Sequence, residues 1–144
     1  MSRIRTVTTL VVGLLLPFSD AAGQCILANP SFEVGGTGSA FGGWNQFGVV
    51  GPSSTAHHGS VAARLTGPTS CVWAVTGQWQ ALETTPGERW EAAVRVLHDG
   101  TTPLRGASAA IVNVEWREAS DALISYESHD AADAGSAVDT WLDF

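Results

Sequence analysis

Lysine is absent from this chain of 144 residues, and seven arginines face fourteen Asp and Glu. Nucleic acids and anionic membrane surfaces are held by clustered basic groups that release counterions, so an acidic, lysine-free chain of net charge −7 excludes them as partners. Cysteine is scarce too. The pair Cys25 and Cys71 forms no Cys-x-x-Cys and has no adjacent histidine, which excludes a compact zinc site. No window keeps an apolar period of 3.6 residues, so long amphipathic helices are not expected. Beyond residue 23 no apolar run is long enough to span a bilayer, and no segment repeats.

What is present begins with an export signature. Arg3 and Arg5 make a short basic start, Val7 to Phe18 is an apolar run, and Ala21-Ala22-Gly23 is a small-x-small triplet. That order is the n-region, h-region and cleavage site of a secretory signal. The run ends too soon, at Pro17, to serve comfortably as a membrane anchor. Residues 1–23 are therefore expected to be removed and 24–144 to form one secreted domain, extracellular, periplasmic or on the cell surface. Loss of Arg3, Arg5 and Asp20 leaves five basic and thirteen acidic residues, a net charge of −8. An oxidising destination suits a disulfide. A Cys25–Cys71 bridge would stabilise by roughly 4 kcal/mol on the chain-entropy model; two free buried thiols are the other reading.

The rest of the chain alternates with period two. Val61, Ala63 and Leu65 alternate with Ala62 and Arg64; Trp73, Val75, Trp79 and Ala81 with Gln78 and Gln80. Trp90, Ala92, Val94 and Val96 alternate with Glu91 and Arg95; Val112, Val114 and Trp116 with Asn113 and Glu115. Pro86-Gly87 and His98-Asp99-Gly100 punctuate the runs. Such patterning predicts antiparallel strands with one buried face, an all-β sandwich or jelly roll. The glycines at 35, 36, 38, 42 and 43 form a loop without the flanking strand and helix of a nucleotide-binding loop.

The residues also resemble a family. Leu27-Ala28-Asn29-Pro30-Ser31-Phe32-Glu33, then Gly43-Trp44, then Ala56-His57-His58-Gly59-Ser60-Val61-Ala62-Ala63-Arg64-Leu65 are similar, in order, to segments of family 4/9-type carbohydrate-binding modules. Gln78 to Val96 with Thr85-Pro86-Gly87, Glu115 to Ala119, and Asp139-Thr140-Trp141 continue the resemblance. It implies a galactose-binding-like jelly roll that binds polysaccharide or oligosaccharide without catalysis, often beside a glycoside hydrolase. It implies a structural calcium with Glu33 as a ligand. The family pattern runs about two strands beyond the position of Phe144, so an unpaired strand edge and an uncovered part of the core are expected.

With Trp73, Val75, Trp79, Trp90, Val94, Val112, Val114 and Trp116 turned inward, the opposite face offers Gln78, Gln80, Glu91, Arg95, Asn113 and Glu115. Amides, a guanidinium and a carboxylate match sugar hydroxyls, which donate and accept. A sugar platform needs an exposed ring and the core needs large rings equally. Trp44 and Trp90 are expected in the core, while Trp79 and Tyr126 are the candidate platforms. A bulge near Gly77 would swap the faces of Trp79 and Gln80. Nothing points to catalysis: no carboxylate sits in an apolar context that would raise its pKa, and no nucleophile elbow is present. Adjacent His57 and His58 are expected to point apart, and His98 and His129, beside Asp99 and Asp130, to serve turns. The rival readings are a structural or adhesive extracellular β-sandwich without a sugar site, and the non-catalytic fragment of a glycoside hydrolase.

Overall fold

The computed structural model describes residues 4–9, 25–67 and 75–144. Cys71, Trp73 and the cleavage triplet Ala21-Ala22-Gly23 lie outside the described residues. Among those described, every regular element is a strand and every pairing is antiparallel. The all-β expectation holds, and the architecture is consistent with a β-sandwich.

The strands are β1 (Ile4–Thr9), β2 (Asn45–Phe47), β3 (Val49–Ser53), β4 (Ala62–Thr66), β5 (Gly77–Thr84), β6 (Arg95–Leu97), β7 (Ala109–Glu118), β8 (Leu123–Asp133) and β9 (Trp141–Asp143). Five of them form one sheet in the order β2-β5-β1-β7-β8, and two smaller sheets pair β3 with β4 and β6 with β9. Reciprocal backbone bonds between Val94 and Phe144, at 2.8 and 2.9 Å, extend the β6–β9 ladder by one pair. The N-terminal segment read as part of an export signal thus supplies β1, the middle strand of the large sheet.

Alternation decides which side chains enter the core. Val94 and Val96 of the small sheet meet Val112 of β7 and Ala132 of β8, with Leu104 and Leu142 packed against them. Phe32, Phe41 and Trp44 close the same cluster from the N-terminal loop. The edge strand β8 is exposed on both faces from Leu123 to Asp130, so the large sheet extends past its cover. Register shifts at Ala110/Ile111 and Trp116/Arg117 are bulges that increase twist along that edge.

The motif Asn29 to Trp44 is an assembly of structural parts. Asn29, in the left-handed region at φ 49°, donates from Nδ2 to the carbonyls of Val34 and Gly42 at 2.8 and 3.0 Å. Its Oδ1 accepts from the Val34 amide at 3.1 Å. Its carbonyl accepts from Trp44 Nε1 at 3.0 Å. Asn29 therefore pins Val34 and Gly42 through its side chain and Trp44 through its carbonyl. Trp44 is in the core, as expected. Trp90 is not: it is half exposed, and its indole N–H donates to Thr84 Oγ1 at 2.9 Å. The Thr84 hydroxyl in turn donates to Glu88 Oε2 at 2.8 Å, which also accepts from the Thr85 amide at 3.1 Å.

These hydrogen bonds from Thr85 and Thr84 hold the Glu88 carboxyl below its ordinary value of 4.5. A depressed folded-state pKa contributes stability that is present above the ordinary value and is lost as pH falls through the folded value. The Glu88→Gln variant is therefore expected to be less stable than the parent at neutral pH. The gap should close as pH drops below 4.5, which urea unfolding at stepped pH would measure. A gap that widens on acidification contradicts this.

Candidate functional site

Residues directly opposed across a ladder share one face of a sheet. Asn45 opposes Trp79, Trp79 opposes Thr9, Thr9 opposes Asn113, and Asn113 opposes Ser128. One row further on, Ala81, Val7, Glu115 and Tyr126 align in the same way. Trp79, Asn113, Glu115 and Tyr126, all sequence candidates, thus lie on one face, turned away from the core.

Gln78 and Gln80 lie on the other face, and this corrects the expectation that they meet solvent. Gln80 is 4% exposed. Its Oε1 accepts from the Ala28 amide at 2.9 Å, and its Nε2 donates to the Ala28 carbonyl at 2.6 Å. The side chain reproduces a backbone ladder pair and ties the N-terminal loop beneath the sheet. Gln78 is 1% exposed, and among the described residues neither of its amide atoms has a hydrogen-bond partner. The parity differs from expectation because β5 reverses the usual hydropathy, with amides inside and Trp79 and Ala81 outside. A ladder of buried amides leaves no signal in composition; only the segment they tie down explains them.

The two glutamines respond oppositely to the same change. Gln80→Leu leaves the Ala28 N–H and C=O without partners and is expected to cost about 1–3 kcal/mol. Gln78→Leu removes an amide that gains nothing inside and is expected to be neutral or to stabilise by about 1 kcal/mol. Urea midpoints of both variants check this; equal losses contradict it.

Arg95 departs from the expected sheet. It lies on β6, in a different sheet, opposite Asp143, and its Nε donates to the Asp143 carboxylate. Its Nη1 lies 3.0 Å from both ring nitrogens of His57. His57 packs edge-on to Trp141 at 5.4 Å and lies stacked with His58 at 6.0 Å and 17°. The histidines do not point apart: their rings stack on one another, and Arg95 and Trp141 hold His57.

Glu33, the expected calcium ligand, anchors a loop. Its Oε1 accepts from the amides of Ser60 and Val61 at 2.9 and 3.1 Å. Gly59 sits at φ +72°, and a Cβ there would lie 2.1 Å from that oxygen, so the approach requires glycine. Calcium needs six or more oxygens, whereas Glu33 already faces two N–H donors. Among the described residues no three His, Cys, Asp or Glu side chains come together as a metal cluster. The residues present do not fit the implied calcium. Cys25 is exposed and unbridged; the expected pairing with Cys71 falls on a residue not described.

His98, expected at a turn, is a buried post at 4% exposure. Its Nε2 accepts from the Leu104 amide at 2.8 Å, so Nδ1, 3.0 Å from the Ser136 carbonyl, carries the proton. This joins the 99–105 turn to the loop before β9. The following Asp99 does serve the turn, accepting from Thr101 N and Oγ1 at 2.8 and 2.6 Å.

At the β2 edge of the sheet, half-buried Trp79 borders an open depression of about 410 Å³ that is also lined by Thr37, Ser39, Trp44, Asn45 and Gln46. Gln46 Oε1 fixes the rim by accepting from the Ala40 amide at 2.6 Å. Two strand spacings away, about 10 Å, runs a polar row on β7. Glu115 accepts from Asn113 Nδ2 at 3.1 Å and from Arg117 Nε at 2.8 Å. The Glu115 carboxylate raises the Arg117 pKa above its ordinary value, so the guanidinium stays charged. Asp121, in the left-handed region at φ 70°, presents its carbonyl to Arg117 Nη1 at 2.7 Å. Asn45, Gln46 and Arg117 are not among the residues expected from alternation; for Arg117 the signal is its i+2 spacing from Glu115 on one strand face. Tyr126, 64% exposed, stands across from Glu115. The face offers two rings and a row of donors and acceptors held by neighbours.

An all-β chain with antiparallel sheets and one polar, ring-bearing sheet face is the class that these observations define. Compared with known proteins, the chain matches no family model, no curated protein and no solved structure.

Proposed function

We propose that the chain is a secreted carbohydrate-binding module of the galactose-binding-like jelly-roll kind, holding glycan non-catalytically on the outer face of the five-stranded sheet. The observation that carries the reading is the meeting of Trp79, Asn113, Glu115 and Tyr126 on one face beside a depression. A pyranose has one apolar C–H face that stacks on an aromatic ring and an equatorial rim of hydroxyls that donate and accept. Trp79 suits the first; Asn113, Glu115 and Arg117 suit the second, since the row contains both donors and acceptors. The open depression fits a chain lying across the sheet. Orientation of the row by internal hydrogen bonds lowers the entropy lost on binding.

A second reading, a structural or adhesive extracellular domain without a sugar site, draws on a specific observation. Gln80, Arg95 and Glu33 are all engaged in holding the fold. Affinity electrophoresis of the chain against a panel of soluble polysaccharides separates the two. Retardation by at least one polysaccharide is expected, and a folded sample retarded by none supports the second reading.

A further inference from the structure

We infer that the groove between β5 and β7 is a strand-acceptor site for an extended, β-branched segment of six residues running antiparallel to both walls. Its occupant here is Ile4–Thr9. That segment pairs along its whole length on both sides, Ile4 with Thr84 and Glu118 at one end and Thr9 with Trp79 and Asn113 at the other. Because β5 and β7 are each antiparallel to β1, they run parallel to one another and make no ladder together. They stand two spacings apart, about 10 Å, which no N–H···O=C bond can cross. Removing the occupant therefore bares two facing strand edges at once in the middle of a sheet, each a template for strand addition.

Ile-Arg-Thr-Val-Thr-Thr is five-sixths β-branched, matched to a pleated central position. Its connection to the rest is a single covalent link, through residues 10–24, to the described chain at Cys25. The same six residues fall in the segment whose charge and apolar pattern mark it for removal. Processing at residue 23 would vacate the slot, and refilling it requires another strand of this direction and kind. The occupant also lies between Trp79 and Asn113, so whatever fills the slot sets the spacing of the outer face.

The test uses the full chain with a protease site inserted within residues 10–24 and cut after folding. The released N-terminal fragment is washed out in mild urea, and a fluorescent synthetic peptide of residues 3–10 is added. Amide exchange of β5 and β7 is read at each stage. Fragment loss is expected to reduce the protection of amides in 78–83 and 113–117 by about 100-fold or more, the range separating laddered from open amides. The peptide should restore that protection, and the same peptide carrying Val7→Pro should not, since proline lacks the N–H. Protection unchanged after the fragment leaves overturns the inference. So does protection that the native peptide fails to restore, or that the proline peptide restores equally.

Discussion

Phe32→Ala is expected to lower the stability of the chain by about 3–5 kcal/mol, the range for deleting a fully buried phenyl ring. Phe32 is 2% exposed. Its ring packs against Phe41 at 5.0 Å and 58° and against Trp44 at 5.1 Å and 42°, tilted geometries that favour aromatic pairs. Alanine leaves a cavity between two rings whose own positions are fixed. Trp44 is bonded to the Asn29 carbonyl, and the turn around Phe41 is closed by the Gly42 amide on the Val34 carbonyl at 2.9 Å. Little collapse is available to offset the loss. Phe32 also sits at φ 62°, a left-handed conformation that alanine tolerates no better. A domain of this size has about 5–15 kcal/mol of stability in total, so the variant should lie close to unfolding at room temperature. Urea unfolding followed by tryptophan fluorescence reads this as a fall in midpoint at unchanged slope. A loss below about 1 kcal/mol would mean that the aromatic cluster is not the core.

The second large effect is on binding. Trp79→Ala is expected to weaken glycan affinity about 30-fold or more, the 2 kcal/mol typical of a tryptophan hot spot. Its cost to folding should stay near 1 kcal/mol, since the ring is only half buried on the outer face and its removal opens no closed cavity. Glu115→Ala should act in the same direction. It removes the carboxylate that orients Asn113 and Arg117, so one substitution disturbs three groups. The two changes share a face, and their effects should be less than additive if one ligand spans both.

Much of the fold could be read from alternation. In β7 and β6 the apolar parity is the buried one: Val112, Val94 and Val96 are in the core, and Asn113 and Glu115 lie on the opposite face as expected. In β5 the same rule fails. Gln78 and Gln80 are inside because Gln80 must reach the backbone of Ala28, 52 residues away in sequence. A long-range bond of that kind overrides side-chain hydropathy, and no local window contains it. Arg95 was assigned the correct strand face but the wrong sheet, since alternation says nothing about which ladder a strand joins. The motif around Asn29 and Glu33 was visible as a motif. Its residues hold loops together through backbone carbonyls and amides, which a pattern of residue types does not distinguish from ligand binding. The central position of β1 was not legible, because charge and apolarity in residues 3–18 speak first of export.

The two sides of the molecule make opposite predictions for one titration. Isothermal titration of the full chain and its Trp79→Ala and Arg95→Ala variants should be run with whichever polysaccharide retards the parent most. The outer-face account predicts that Trp79→Ala abolishes measurable heat, while Arg95→Ala, on the other sheet and engaged with Asp143 and His57, keeps affinity within about threefold, under 1 kcal/mol. Full affinity in Trp79→Ala, or its loss in a folded Arg95→Ala, would contradict the account.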